Sequence, residues 1–283
     1  MGFNSHDRVV VIHADDVGMC ETTLHSFMEL MEFGIVSSGS VMVPCSAFHA
    51  TAEWARNNPQ YDIGVHLTLT SERESYRWRP ISEHKPKSGL TDEEGYFHRT
   101  CEALWKNAKS ESVYQEMKEQ LKKALAAGIA VSHIDSHMFS AITPAYLPSY
   151  INIGEESNIT VFLERNLCTR MDSKGTNAQI ITEKKAENWP IFDHVLSNSL
   201  KQSPENWLEK TKNVIDSIQP GLSYYIIHPA KGTKEMQKIS PDWRSRDGDY
   251  RVFKSPELRQ YIKKSRIHVI SYKEINQAVK MKK

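Results

Sequence analysis

Asp15 and Asp16 stand side by side at the end of the run VVVIHADD, where two carboxylates repel each other unless something positive lies between them. Histidines recur in similar surroundings: His66 in IGVHLTLT, His133 and His137 flanking Asp135 in SHIDSH, and His228 in YYIIHP. Side chains alternate along a strand, so His133, Asp135 and His137 share one face and Ile134 and Ser136 the other. A polar trio on a buried face needs partners. Proline after His228 ends its strand and sets that imidazole at a rim. Taken singly, each residue has an ordinary explanation. The aspartates suit a turn or helix cap before residue 20, His66 a hydrogen-bonded core position and His228 a loop. Together, one carboxylate and two imidazoles from three strand ends make a mononuclear metal site with open positions. Such donors suit Zn²⁺, Mn²⁺ or Fe²⁺, whereas Mg²⁺ favours more oxygen ligands. The second aspartate is then free to take a proton from an activated water, its charge offset by the cation. His13 and His133 read as hydrogen-bonding groups beside the site, and His25, His49, His84 and His98 as solvent-facing.

These residues need a scaffold that brings several strand ends together. Along the 283 residues, β-branched runs alternate with amphipathic stretches. Strands are expected over 8–14, 35–43, 62–70, 130–137, 159–165, 191–196, 222–229 and 267–272. A helix is expected over 20–33, with Leu24, Phe27, Met28 and Met31 on one side and Gly34 as its C-cap. Further helices are expected over 47–58, 112–127, 144–157, 205–217 and 256–264, with another closing the chain. Residues 71–110 and 169–188 read as polar excursions, the first with a hairpin-like element at 92–99. Alternation without a break in composition predicts an α/β fold, a distorted TIM-like (β/α) barrel forming a single domain over 1–283. Its C-terminal strand ends would gather the site. No GxGxxG follows the first strand, so the dinucleotide-binding open sheet lacks its signature.

Lys and Arg number 36 against 35 Asp and Glu, a net charge of +1, so no nucleic acid is an expected partner. No apolar run approaches the roughly 18 residues that span a bilayer, and no secretory signal precedes the first strand. Cys20, Cys45, Cys101 and Cys168 form no CxxC pair, which fits reduced thiols in a cytoplasmic protein.

ADDVG after the first strand, IGVHLTLT at the third, SHIDSHM at the fourth, IIHPA late in the chain and HVISYKE near its end occur in this order. The series resembles the YdjC-like carbohydrate deacetylase family across nearly the whole chain. The resemblance implies a distorted TIM-type barrel and divalent-metal-dependent removal of acetyl groups from N-acetylated amino sugars. It implies Asp16, His66 and His137 as metal ligands, Asp15 as general base and His228 opposite as an acid. Asp135 is then expected to orient an imidazole. Trp78, Tyr96, Phe97 and Trp243 are candidate platforms for sugar rings. The expected cofactor is one divalent ion, Mg²⁺ or Zn²⁺, and the expected partner an N-acetylated sugar, with no membrane partner and a homodimer left open. After His137 the chain continues with Met138 and Phe139, where many members carry further histidines. Two rival functions stand beside this one. A metal-dependent phosphoesterase on a similar barrel would need more ligands and a basic phosphate clamp. A sugar-binding protein would keep the barrel without the chemistry.

Overall fold

A computed structural model describes residues 2–82, 88–166, 175–198 and 205–280. Strand β1 (Arg8–Val17) opens on the β-branched run Val9–Ile12 and is buried over nearly its whole length, as a strand covered on both faces must be. It is the hub of an eight-stranded parallel sheet among the described residues. On one side follow β2 (Ser38–Val41), β3 (Ile63–Leu67), β4 (His133–Ser136) and β5 (Thr160–Val161). On the other lie β7 (Gly221–Ile227) and, beyond it, β6 (His194–Ser197). The short β8 (Ile267–Val269) pairs with Arg8–Val10 at the start of β1, while β2 pairs with β1 only from His13 onward. A parallel bridge between Glu164 and Phe192 joins the two ends of the sheet. The curved parallel sheet and its surrounding helices form the expected distorted TIM-like barrel. Its lumen is filled by Phe162, Phe192, Tyr224 and Tyr272, with ring centroids 4.5 to 6.1 Å apart.

Helix α1 (Glu21–Phe33) buries Leu24, Phe27, Leu30 and Met31 and ends at Gly34, whose φ of 82° is the left-handed C-cap read from the sequence. α2 (Phe48–Asn57) follows β2. α3 (Cys101–Asn107) and α4 (Ser110–Ala126) precede β4, and α5 (Leu147–Ser157) precedes β5. The first polar excursion therefore ends in a helix, and its hairpin-like element is a single antiparallel bridge between Thr91 and Phe97. The second excursion also departs from expectation. It contains α6 (Thr176–Ala186), which buries only Asn177 and Ile181 and so presents no apolar stripe. α7 (Trp207–Ser217) leads into β7. Two more helices absent from the sequence reading, α8 (Lys234–Ile239) and α9 (Trp243–Phe253), come next. The inner face of α9 includes Ser245, Arg246, Gly248 and Asp249, a polar set that hydrophobic periodicity does not mark. α10 (Pro256–Lys264) and α11 (Tyr272–Lys280) complete the chain as expected. No described helix is long and apolar enough to cross a membrane.

Candidate metal and catalytic centre

β1 runs through both aspartates instead of turning before them. Its pairing with β2 passes from Ala14 opposite Gly39 to Val17 opposite Val41, so β1 holds one residue more than its partner. This bulge places Asp16 at a φ of 61°. Neighbours on a regular strand point to opposite faces, and the extra residue turns both carboxylates into one cleft. Asp15 Oδ2 and Asp16 Oδ1 lie 3.8 and 3.5 Å from the same atom, His66 Nε2.

Asp16, His66 and His137 converge there, all three buried. His137 Nδ1 stands 3.1 Å from Asp16 Oδ1 and 3.3 Å from His66 Nε2. Each imidazole is held from behind by a carboxylate. His66 Nδ1 donates to Asp135 Oδ1 at 2.8 Å, and Asp135 Oδ2 in turn accepts from Ser40 and Tyr224. His137 Nε2 lies 3.0 Å from Glu72 Oε2. The outer nitrogens are thus engaged, and the inner ones face a common point. Asp16 Oδ1 is buried there without a hydrogen bond. Ligands held about 2.1 Å from one ion stand roughly 3.0–3.4 Å apart, close to the separations found among these three atoms. The donor set fits a divalent cation. Two other groupings, His13 with His133 and Asp135, and Asp15 with His66 and Asp135, also bring donor atoms within 4.8 Å. In the first of these the 2.9 Å contact between His13 and His133 already engages the ring nitrogens, and the second shares His66 with the cluster just described.

The electrostatics describe a site balanced for positive charge. Burial favours the neutral carboxyl of Asp16, but Arg246 and then His137 outweigh it and hold the group well below the usual range. Burial opposes charge on His66, yet Asp135 and Asp15 raise its pKa well above that of a free imidazole. Burial is likewise overcome at His137, which Glu72 and Asp16 push up to about 9. The neighbouring carboxylates thus favour positive charge at both imidazoles, the charge that a cation would supply.

Asp15 and His228 flank the cluster. Asp15 Oδ1 is anchored by His13 Nδ1 at 2.8 Å, and its Oδ2 faces His228 Nε2 at 3.9 Å. His228 is held at the rim by its backbone N–H, which donates to Asp249, while its Nδ1 has no hydrogen bond. Burial, the largest influence, and Arg246 lower the His228 pKa against the pull of Asp16 and Asp15. All five residues singled out in the sequence therefore meet in one cleft, and Asp135 supports His66 as expected.

Two residues of the site carried no signal that sequence reading used. Arg246 of α9 is 1% exposed, yet its Nη2 lies 2.8 Å from Asp16 Oδ2. Glu72, at the start of the first excursion, backs His137. The aromatic expectations need correction. Phe97 is fully buried, and Trp78 is buried with its indole N–H on the Thr70 carbonyl and its ring edge-on to His137. Tyr96 lies under the guanidinium groups of Arg77 and Arg79, and Trp243 under that of Arg244, so these faces are already covered. His98 is also buried, its Nε2 on the Gly89 carbonyl, whereas His25 and His49 are exposed and His84 lies outside the described residues.

Fold and cleft together define a (β/α) barrel with a His-His-Asp cluster at the C-terminal ends of its strands. The chain belongs to the YdjC-like protein family, whose model matches residues 9–264. It is 28% identical over 274 residues to a carbohydrate deacetylase of Thermus thermophilus, covering 96% of this chain and 95% of that one. A carbohydrate deacetylase of Brevibacillus brevis is 26% identical over 266 residues, covering 94% and 99% of the two chains. A crystal structure from Enterococcus faecalis, described as a candidate cellobiose-phosphate cleavage protein, matches with a TM-score of 0.76 at 22% identity. The match covers 95% of this chain and 99% of that one, and it establishes a shared fold.

Proposed function

We propose that the protein is a divalent-metal-dependent deacetylase of N-acetylated amino sugars or their oligomers. The observation that carries this reading is the convergence of Asp16, His66 and His137 on one point with Asp15 beside them. Full-length relatives named carbohydrate deacetylases support it. Asp16, His66 and His137 would hold the ion, Zn²⁺ or Mg²⁺. When bound, such an ion supplies Lewis-acid polarisation of the acetyl carbonyl and acidifies water. Asp15 is the general base: His13 fixes one oxygen, and the other is turned to the cleft to accept the proton of the attacking water. His228, lowered toward the neutral imidazole, collects a proton before it can hand one to the leaving amine. Arg246 keeps Asp16 ionised and so keeps its Oδ1 available as a donor atom. Among the described residues Cys20, Cys45 and Cys101 are free thiols, and Cys168 lies outside them; a reducing cytoplasm is the proposed place of action.

Acetate release from a panel of N-acetylated mono- and oligosaccharides, with metal supplied, tests the proposal. Turnover of at least one member is expected. Phosphate release from phosphorylated sugars, or tight sugar binding without turnover, would replace it with one of the rival functions.

A further inference from the structure

Behind Asp15, a file of buried polar groups runs through the barrel to the N-terminal ends of its strands. His13 Nε2 lies 2.9 Å from His133 Nε2, and His133 Nδ1 lies 2.9 Å from Ser132 Oγ. Ser132 Oγ donates at 2.7 Å to Asp62 Oδ1. Asp62 accepts also from Ser38 Oγ at 2.8 Å and from the Lys273 backbone N–H at 2.7 Å. His13 and His133 are fully buried and Asp62 is 2% exposed, so water does not compete for these contacts. Tyr272 stacks on the His133 ring at 3.8 Å, and Tyr224 packs 4.8 Å from that of His13. The mechanism above uses His13 and none of the groups beyond it.

We propose that Asp62 is a remote positioning residue for the general base, acting through Ser132, His133 and His13. The proposal rests on the reading of Asp15 as the base. The serine hydroxyl has one proton to give, and the carboxylate of Asp62 is a stronger acceptor than an imidazole nitrogen. With that proton directed to Asp62, His133 Nδ1 carries a hydrogen and donates to Ser132 Oγ. His133 Nε2 is then bare. Two bare nitrogens cannot face each other at 2.9 Å, so His13 Nε2 carries the shared hydrogen. The remaining nitrogen of His13 carries the second ring hydrogen and donates it to Asp15 Oδ1, so that His13 is an imidazolium and Asp15 stays the ionised base. Asp15 is thereby fixed in rotation, with Oδ2 left to the cleft. An uncharged amide at position 62 reverses the order. The Lys273 N–H holds the amide oxygen, its NH₂ faces Ser132, and the hydroxyl turns to His133.

Two measurements test this on the full-length, Zn²⁺-loaded protein. In ¹⁵N-histidine NMR spectra of the wild type, His133 is expected to be protonated at Nδ1 and bare at Nε2. In Asp62→Asn its proton is expected at Nε2. A wild-type His133 protonated at Nε2 overturns the proposal and leaves the role of Asp15 standing, and this holds even if the variant fails to fold. In kinetics, Asp62→Asn is expected to lower kcat by about tenfold or more, with KM and bound zinc unchanged, as losses behind a catalytic group do. In an Asp15→Asn background the same change is expected to cost less than about twofold, because the two act as one unit. Equal losses in both backgrounds would mark Asp62 as merely structural. Full activity of zinc-loaded Asp15→Asn would instead remove the base assignment, and this proposal with it.

Discussion

Asp15 and Asp16 are chemically identical side chains one peptide apart, and their surroundings differ. Arg246 and the two imidazoles draw on Asp16, whereas His13 holds Asp15 from behind and leaves one oxygen free. Asp15→Asn should therefore keep its metal and lose turnover by on the order of 10²-fold or more, and Asp16→Asn should lose metal first. Metal content and kcat, measured on the same samples, distinguish the two. A metal-loaded Asp15→Asn at wild-type rate would transfer the base role to His228. The imidazoles give a second test. Neighbouring carboxylates raise the pKa of His66 and push that of His137 up to about 9, so an ion bound as proposed would displace protons. Apparent affinity should fall as pH drops below about 9, and calorimetry in buffers of different ionisation enthalpy should show proton release. Affinity independent of pH between about 6 and 9 would contradict the assignment of the two histidines as ligands.

At the scale of elements, the cleft depends on how tightly β3 and β4 approach. A Cβ at Gly64 would meet the His133 ring at 2.5 Å and the His133 carbonyl oxygen at 2.6 Å. Gly64→Ala should therefore destabilise the fold by about 1–3 kcal/mol, read from urea unfolding. A change within about 0.5 kcal/mol would mean that the two strands part at little cost. The strands that carry the site were legible where short apolar runs lead into His or Asp, as Val9–Ile12 does to His13 and Ile226–Ile227 to His228, a pattern kept by parallel strands buried on both faces. The bulge at Asp16 was not legible, since nothing in ADDV marks an extra residue, and the strand was expected to stop at 14. Arg246 was missed for a related reason. Helix α9 turns charge and glycine inward, so its buried face looks like a solvated one. Glu72 sits at the start of a polar excursion whose composition conceals its contact with His137.

At the scale of the molecule, the cleft concentrates carboxylates from distant parts of the chain, Asp15, Asp16, Glu72 and Asp135, around two imidazoles and the guanidinium of Arg246. Arg246 also reaches Asp242 of the segment before α9, so one buried cation ties β1 to the C-terminal third. Arg246→Met leaves Asp16 without its partner and should cost about 3–5 kcal/mol in chelator, with part restored by Zn²⁺. Equal losses with and without zinc would show that the ion and Asp16 are not linked. Binding to the folded chain alone adds about 2.7 kcal/mol at one hundred times the dissociation constant, so the wild-type melting temperature should also rise with added metal. The central claim is that the cluster of Asp16, His66 and His137 holds an ion on which deacetylation depends. The direct measurement is acetate release from N-acetylglucosamine oligomers by protein stripped with chelator and then reloaded with Zn²⁺ or Mg²⁺. Acetate should cease on stripping and return on reloading in wild type, and fail to return in His66→Ala. Undiminished acetate release from the stripped protein would contradict the account.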